Sequence, residues 1–490
     1  MRLRERLGTA APWLVLPLFV AALSYRRDTV PAGLCNDAAE EALRGVLLLA
    51  QHRLEPITHV LGNSAETLYL YLLGFSTRLL GPTTLSVQLV SWGCAAGVVA
   101  MTMAVVRRID PKVPPLVPLA VASTSIWLFH YGRAGLRAIS APLFLLVFVF
   151  FALRAEERRR DAVLAGAALA LGIYGYTAFR AVALAGVVWI LWRAVRKREW
   201  RPAAALLGTA LVVSIPNLVL LAKDPRDFLL RGAYVAKGGE VQNVGATALM
   251  PFLYPAQYRD VNGPHHFFDG VSAGLTHAGI HPVHPLVAVL FLAGLWIALR
   301  HRLGGPLLLC GACAVLIVGT AGPSLTRMLV ALPVVLVLAA LAAARLPRGA
   351  AAALMLVVAA THAHAYFVRF PADAGAQFNF SPAATPIGQR AAKLTRTGAR
   401  VLCVLSKDAN VVRFLAPGAA VAEFYFRPYD PRALPDVDPD VVLVEGHPRF
   451  AAVAQAFPRA RVEVGPAALQ SAPPERVHAA HTVLRRHRRL

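Results

Sequence analysis

A helical protein that crosses a membrane many times is the fold class this sequence predicts, and three observations carry it. Of 490 residues, 57% are hydrophobic and only 16% are charged, more apolar sequence than a soluble domain can hide. Apolar runs near 10–25, 83–106, 114–130, 138–153, 161–177, 181–195, 203–222, 284–299, 305–321, 326–344 and 350–367 supply about eleven candidate transmembrane helices, several of them short. The basic residues behind the formal net charge of +23 fall in short clusters after every second run.

Those clusters are Arg2/Arg4/Arg6, Arg107/Arg108/Lys112, Arg154/Arg158/Arg159/Arg160, Arg193/Arg196/Lys197/Arg198/Arg201, Arg300/Arg302 and Arg345/Arg348. The positive-inside rule then puts the N-terminus in the cytoplasm and the C-terminus outside. Membrane topology explains the charge, so no nucleic-acid partner is predicted. Run 10–25 follows three arginines and lacks a small-residue cleavage site, so it reads as a signal anchor and first span. The scheme requires Glu66–Leu80 to be a juxtamembrane or re-entrant helix. Glu66 at its head and Arg78 near its end suit that. Two long loops, 26–82 and 223–283, then face outwards.

Residues 1–367 form the membrane domain on this reading, and 368–490 a smaller extracytoplasmic domain with a basic tail. Strands are predicted at Arg400–Ser406, Val421–Phe426, Val441–Glu445 and Arg461–Val464. Helices are predicted at Asp408–Leu415 and Phe450–Phe457, and the alternation suggests a parallel α/β arrangement. It has no glycine-rich phosphate fingerprint. No internal repeat suggests a transporter built from two halves.

Chemistry concentrates in the first outer loop. Leu34–Gly45 carries Asp37, Glu40 and Glu41, and Ala38, Ala42, Leu43, Val46, Leu47 and Ala50 recur at helical spacing. An acid at a membrane–water boundary can take a proton from an attacking hydroxyl. Asn36 or Asp37 can equally cap the helix. Arginines at the outer ends of spans form a second set: Arg133, Arg137, Arg180 and Arg327, with Tyr176 beside Arg180 and Arg259 in the second loop. Guanidinium groups bind phosphate bidentately, which suits a phosphorylated lipid headgroup; headgroup anchoring by snorkelling is the plainer use. His265, His266, His277, His281 and His284 sit in or beside one Pro- and Gly-containing loop, and Cys310-x-x-Cys313 lacks a second pair, so no zinc site is predicted. GxSxG, HExxH and P-loop patterns are absent.

Together these pieces resemble the GT-C glycosyltransferases, and among them the bacterial relatives of the dolichyl-phosphate-mannose–protein mannosyltransferases. The similarity rests on Asp37 in the first outer loop, Glu66-Thr67-Leu68-Tyr69-Leu70-Tyr71-Leu72 leading to Leu80-Gly81, Tyr131-Gly132-Arg133, Tyr174–Arg180 and Thr326–Pro333, in that order over residues 1–367. The resemblance implies transfer of a sugar from a polyprenyl-phosphate donor to an acceptor hydroxyl on a lipid, a glycan or a protein, with inversion. It implies Asp37 as catalytic base and arginines such as Arg133 and Arg327 as phosphate contacts. Ala38 follows Asp37 where relatives often carry Glu. A two-carboxylate or divalent-metal version would therefore draw on Glu40 or Glu41. Rival readings are a ligase or polymerase using a lipid-pyrophosphate donor, and a non-enzymatic flippase.

Overall fold

A computed structural model describes residues 11–52, 54–61, 64–225, 243–252, 275, 278–320, 324–377, 380–424, 430, 433–446, 450 and 452–466. Most of the second long loop, including Arg259, His265, His266 and His277, lies outside these residues, as does the basic tail. Helices lie at the apolar runs. Among the described residues, four are long and apolar enough to cross a membrane: Thr84–Ile109, Trp200–Lys223, Leu325–Ala343 and Arg348–Ala372. Pro12–Ser24, Leu68–Leu80, Arg137–Ala152, Pro285–His301 and Gly305–Thr320 are apolar but shorter, so helix length alone does not give eleven crossings.

The run 114–130 is not one helix, which corrects the reading above. It divides into Leu116–Ser123 and Ile126–Ala134. Thr124 Oγ1 turns back to the Ala120 carbonyl at 2.9 Å, and Ser125 Oγ accepts the Leu128 N–H at 3.3 Å to start the second helix. Adjacent hydroxyls offer the backbone an alternative to the helical ladder. The carbonyl of Thr124 meets His362 Nδ1 at 2.7 Å, so the break leaves it satisfied.

Charge separates the two ends of the helical body. At one end the basic clusters meet acids: Arg108 with Glu157, Arg193 and Lys197 with Glu156, and Arg345 with Asp110 at 2.9 Å. The other end carries the first loop. There α1 (Val15–Ser24) runs into a turn, and α2 (Asn36–Ala50) begins where the backbone leaves extended geometry at Cys35. Ala38, Ala39, Ala42 and Leu48 face inwards while Asp37 is exposed. Neither Asn36 nor Asp37 is therefore the cap. Asp37 sits in the first turn, where a carboxylate complements the helix dipole.

A two-stranded ribbon, β1 (Ile57–Thr58) against β2 (Ala65–Glu66), leads to α3 (Leu68–Leu80). Glu66 thus lies on a strand and not at the helix head. Helix α3 has 13 residues, too few for the roughly 20 a crossing needs. Its Tyr69, Leu70, Leu73 and Gly74 are buried, and Leu72, Phe75, Leu79 and Leu80 form an exposed apolar stripe. Two glycines let α2 and α3 touch backbone to backbone. A Cβ on Gly45 would stand 2.1 Å from the Leu70 carbonyl oxygen, and one on Gly74 would stand 2.5 Å from that of Gly45.

Beyond the last span the chain builds a four-stranded parallel sheet. Its elements are α4 (Ala384–Arg396), β3 (Val401–Leu405), α5 (Ala409–Leu415), β4 (Ala420–Glu423), β5 (Val441–Val444) and β6 (Arg461–Val464), with strand order β4-β3-β5-β6. Every residue of β3 and β5 is buried, as expected for central parallel strands covered on both faces. Helix α5 packs on α2, so this sheet is joined to the acid-bearing helix of the first loop.

Gly45→Val is expected to separate α2 from α3 at a cost of at least about 1–3 kcal/mol, the usual range for overpacking a close contact. A lowered thermal midpoint of the detergent-solubilised protein reads it.

Candidate active site

Residues in an α-helix advance by about 100° each. Viewed down α2 from Asp37, Glu40 therefore lies roughly 60° to one side and Glu41 roughly 40° to the other. Asp37 stands between the directions its two neighbours take, and the structure uses both directions.

Glu41, 8% exposed, turns towards the span ends. Its Oε2 accepts the backbone N–H of Arg137 at 3.0 Å, and its Oε1 lies 3.4 Å from Arg137 Nη1. Arg137 opens a short 3-10 turn, Arg137–Ile139, which the helix Ser140–Ala152 continues. Tyr69 of α3 donates to the Gly135 carbonyl at 3.2 Å and steadies the same turn.

Glu66 of β2 is the second buried carboxylate, 2% exposed. Thr177 donates its hydroxyl to Oε1. Arg180 Nη2 approaches Oε1 at 3.6 Å, and Arg137 Nε approaches Oε2 at 3.7 Å. These are ion pairs longer than hydrogen bonds, and Arg137 Nε has no hydrogen-bond acceptor. Asp37 and the Tyr176 phenol lie within electrostatic reach of the Arg137 guanidinium. Asp37, Glu41, Glu66, Arg137, Tyr176, Thr177 and Arg180 thus form one polar cluster at the end of an apolar bundle. Arg180 is its more accessible cation, with 24% of its side chain exposed against 6% for Arg137.

Glu40 points the other way. Arg44, one turn along α2 and buried, pairs with its Oε1, while Asn410 of α5 donates to Oε2 at 3.4 Å. Glu40 is thus held in the seam between α2 and the C-terminal sheet.

The remaining expected residues separate. Arg133 is 2% exposed and donates to the carbonyls of Leu23 and Tyr25, both at 2.7 Å, and of Val30. The rings of Phe129, Tyr366 and Phe367 surround it at 5.6–5.8 Å. It caps the carbonyl end of α1 and does not line the carboxylate cluster, a correction to its reading as a phosphate contact. Arg327 stands two residues before the turn Leu329–Ala331, and that turn packs on Arg137–Ile139. Arg259 lies outside the described residues. His284 caps its helix by accepting from Leu286 N at 3.2 Å, and all five cysteines are free thiols.

No group of three or more His, Cys, Asp or Glu among the described residues is arranged to hold a metal. Glu41 and Glu66 already face guanidinium groups, and Glu40 faces Arg44. The described residues therefore do not fit a divalent metal.

Sequence reasoning left out Glu66, Thr177, Arg44 and Asn410 as site residues. A carboxylate on the threshold of an apolar helix was a visible signal for Glu66, and Glu40–Arg44 is a readable i,i+4 pair. Nothing local marks Thr177 or Asn410. Chemically, the cluster offers an exposed carboxylate for a proton and guanidinium groups for an anion, side by side.

No family model matches this chain, and no curated protein sequence does. Two solved structures of ArnT from Cupriavidus metallidurans match it over 93% of this chain and 90% of theirs. The apo state matches at 14% identity with a TM-score of 0.53, and the form bound to undecaprenyl phosphate at 12% with a TM-score of 0.50. At such identity the likeness is one of fold: the chain shares the overall fold of ArnT.

Proposed function

We propose that this protein moves a sugar from a polyprenyl-phosphate carrier to an acceptor hydroxyl on the outer face of the inner membrane. One observation carries the reading. Asp37 is the exposed acid on α2, beside a buried Glu41–Arg137–Glu66–Arg180 network, on a fold shared with ArnT crystallised with undecaprenyl phosphate.

The chemistry follows from which groups are exposed. A lipid carrier arrives from the bilayer, so its phosphate meets the span ends first, where Arg180 is partly exposed, Arg137 is buried behind it, and Arg327 precedes a turn packed on Arg137–Ile139. Guanidinium groups there stabilise the charge that grows on the phosphate oxygen as the glycosidic bond breaks. On the opposite side of the sugar, Asp37 takes the proton of the acceptor hydroxyl. The hydroxyl oxygen forms the new bond to the anomeric carbon, the C–O bond to phosphate breaks, and polyprenyl phosphate leaves with the electron pair. Attack opposite the leaving group inverts the anomeric centre. Glu41 and Glu66 are neutralised by arginine and hold the site in shape; the base is the acid that stays exposed. The acceptor is a hydroxyl of a lipid, a glycan or a protein.

Sugar transfer from radiolabelled polyprenyl-phosphate sugars tests this with purified protein. Folded Asp37→Asn is expected to lose roughly 10²–10⁴-fold in turnover, the usual loss for an acid–base group; a variant as fast as wild type contradicts the assignment. Arg180→Ala is expected to weaken undecaprenyl phosphate binding by about tenfold or more, since a charge-assisted hydrogen bond contributes about 1.5–3 kcal/mol. Titration by tryptophan fluorescence reads it, and unchanged affinity would remove Arg180 from the phosphate site.

A further inference from the structure

Asp37 lies between two walls, and the proposed function uses one of them. The other is the C-terminal region, whose segment ahead of the sheet meets the first loop at several points. Ala32 N–H donates to Gln377 Oε1 at 2.8 Å, and Leu34 N–H donates to Thr385 Oγ1 at 3.0 Å. Between them Gly33 is pressed against the same segment: a Cβ there would lie 2.4 Å from the Phe380 carbonyl oxygen and 2.5 Å from Thr385 Oγ1. The chain entering α2 is therefore fixed from the C-terminal side.

The sheet presents its working edge to this loop. Strands β4 and β5 flank β3 on opposite sides, so the chain reverses its winding direction at β3. Crevices outside the carboxyl ends of strands at such a reversal are the usual ligand positions of parallel sheets. From those ends emerge Ser406, Lys407 and Asp408 after β3 and Glu445 after β5. Glu445 accepts the Ser406 hydroxyl at 2.7 Å, and Lys407 pairs with Asp408 at 3.5 Å. Burial pulls the Lys407 ammonium below its ordinary range while Asp408 and then Glu445 oppose that shift, and burial pushes the Asp408 carboxyl up.

We propose that the carboxyl edge of the C-terminal sheet is the acceptor-side wall of the cleft, with Asn410 as the positioning residue that fixes Glu40 beside Asp37. The catalytic part of this rests on the transferase reading; the coupling of Asn410 to α2 rests on geometry alone. One Glu40 oxygen is held by Arg44 from within α2 and the other by the Asn410 amide from α5. Glu41 takes the span-end side with the arginines, so the acceptor approaches from the Glu40 side, between Asp37 and the Lys407–Asn410 loop. Glu40 presents a fixed acceptor oxygen to an incoming hydroxyl only while Asn410 holds its plane.

The test uses the full-length protein and the variants Asn410→Asp and Asn410→Ala, each with two readouts. Asn410→Asp sets a carboxylate against Glu40. Hydrogen exchange over residues 36–41 is expected to rise roughly tenfold, as for loss of a hydrogen bond to a charged group. The helix Thr84–Ile109 should keep its protection, and undecaprenyl phosphate should bind with wild-type affinity. In transfer assays the same variant should raise the KM for acceptor and move the acid limb of the pH–rate profile, with donor KM unchanged; Asn410→Ala should raise acceptor KM with the pH profile in place. Unchanged exchange at residues 36–41 in both variants overturns the inference whatever the chemistry. A rise in donor KM equal to that for acceptor also overturns it, because the wall would then not be on the acceptor side. Exchange that responds while wild type transfers no sugar from any donor overturns the acceptor-side wall and the transferase reading together, and leaves the Asn410–Glu40 coupling supported.

Discussion

Two carboxylates buried at the end of an apolar bundle are the constraint on which this architecture depends. Glu41 and Glu66 are 8% and 2% exposed, and a buried carboxylate without a countercharge is costly in any protein. Arg137 lies between them and Arg180 adds a second cation. Four segments distant in sequence must therefore converge: α2, β2, the turn before Ser140–Ala152 and the turn at Thr177–Arg180. A buried ion pair need not add net stability. What it does here is tie these four segments to one another through both carboxylates.

Asp37 gains its position from that convergence. It shares a helix with Glu41, so fixing Glu41 fixes the angle at which the first turn of α2 meets the outside. The glycine contact between α2 and α3 sets the helix's depth, and the Ala32 and Leu34 bonds set the path of the chain into it. The acid proposed as the base is thus the one left exposed, beside neighbours that are buried and paired.

How much of this could be read from the chain follows from what is local. The membrane class, the helices at the apolar runs and the alternation of strands with helices near the C-terminus all have short-range signals. Asp37, Arg137 and Arg180 were also visible, as charges placed where an apolar run begins or ends. Arg133 was misassigned because only three residues separate it from Arg137. The chain turns left-handed at Gly135 between them, so one guanidinium faces the end of α1 and the other faces the carboxylates. Glu41 to Arg137 spans 96 residues and Glu40 to Asn410 spans 370, and no periodicity reports contacts at that range. The break at Thr124 was hidden for a different reason: apolar sequence lies on both sides of it within 114–130, and only the three hydroxyls Ser123, Thr124 and Ser125 mark it.

A double-mutant cycle on Glu41 and Arg137 tests the central claim most directly. Glu41→Leu and Arg137→Leu are each expected to lower stability by about 3–5 kcal/mol, since each leaves one buried charge unpaired, and the double variant by clearly less than their sum. Additive losses would show that the two residues do not hold the first loop to the span ends, and the account of how Asp37 is positioned would fall with them.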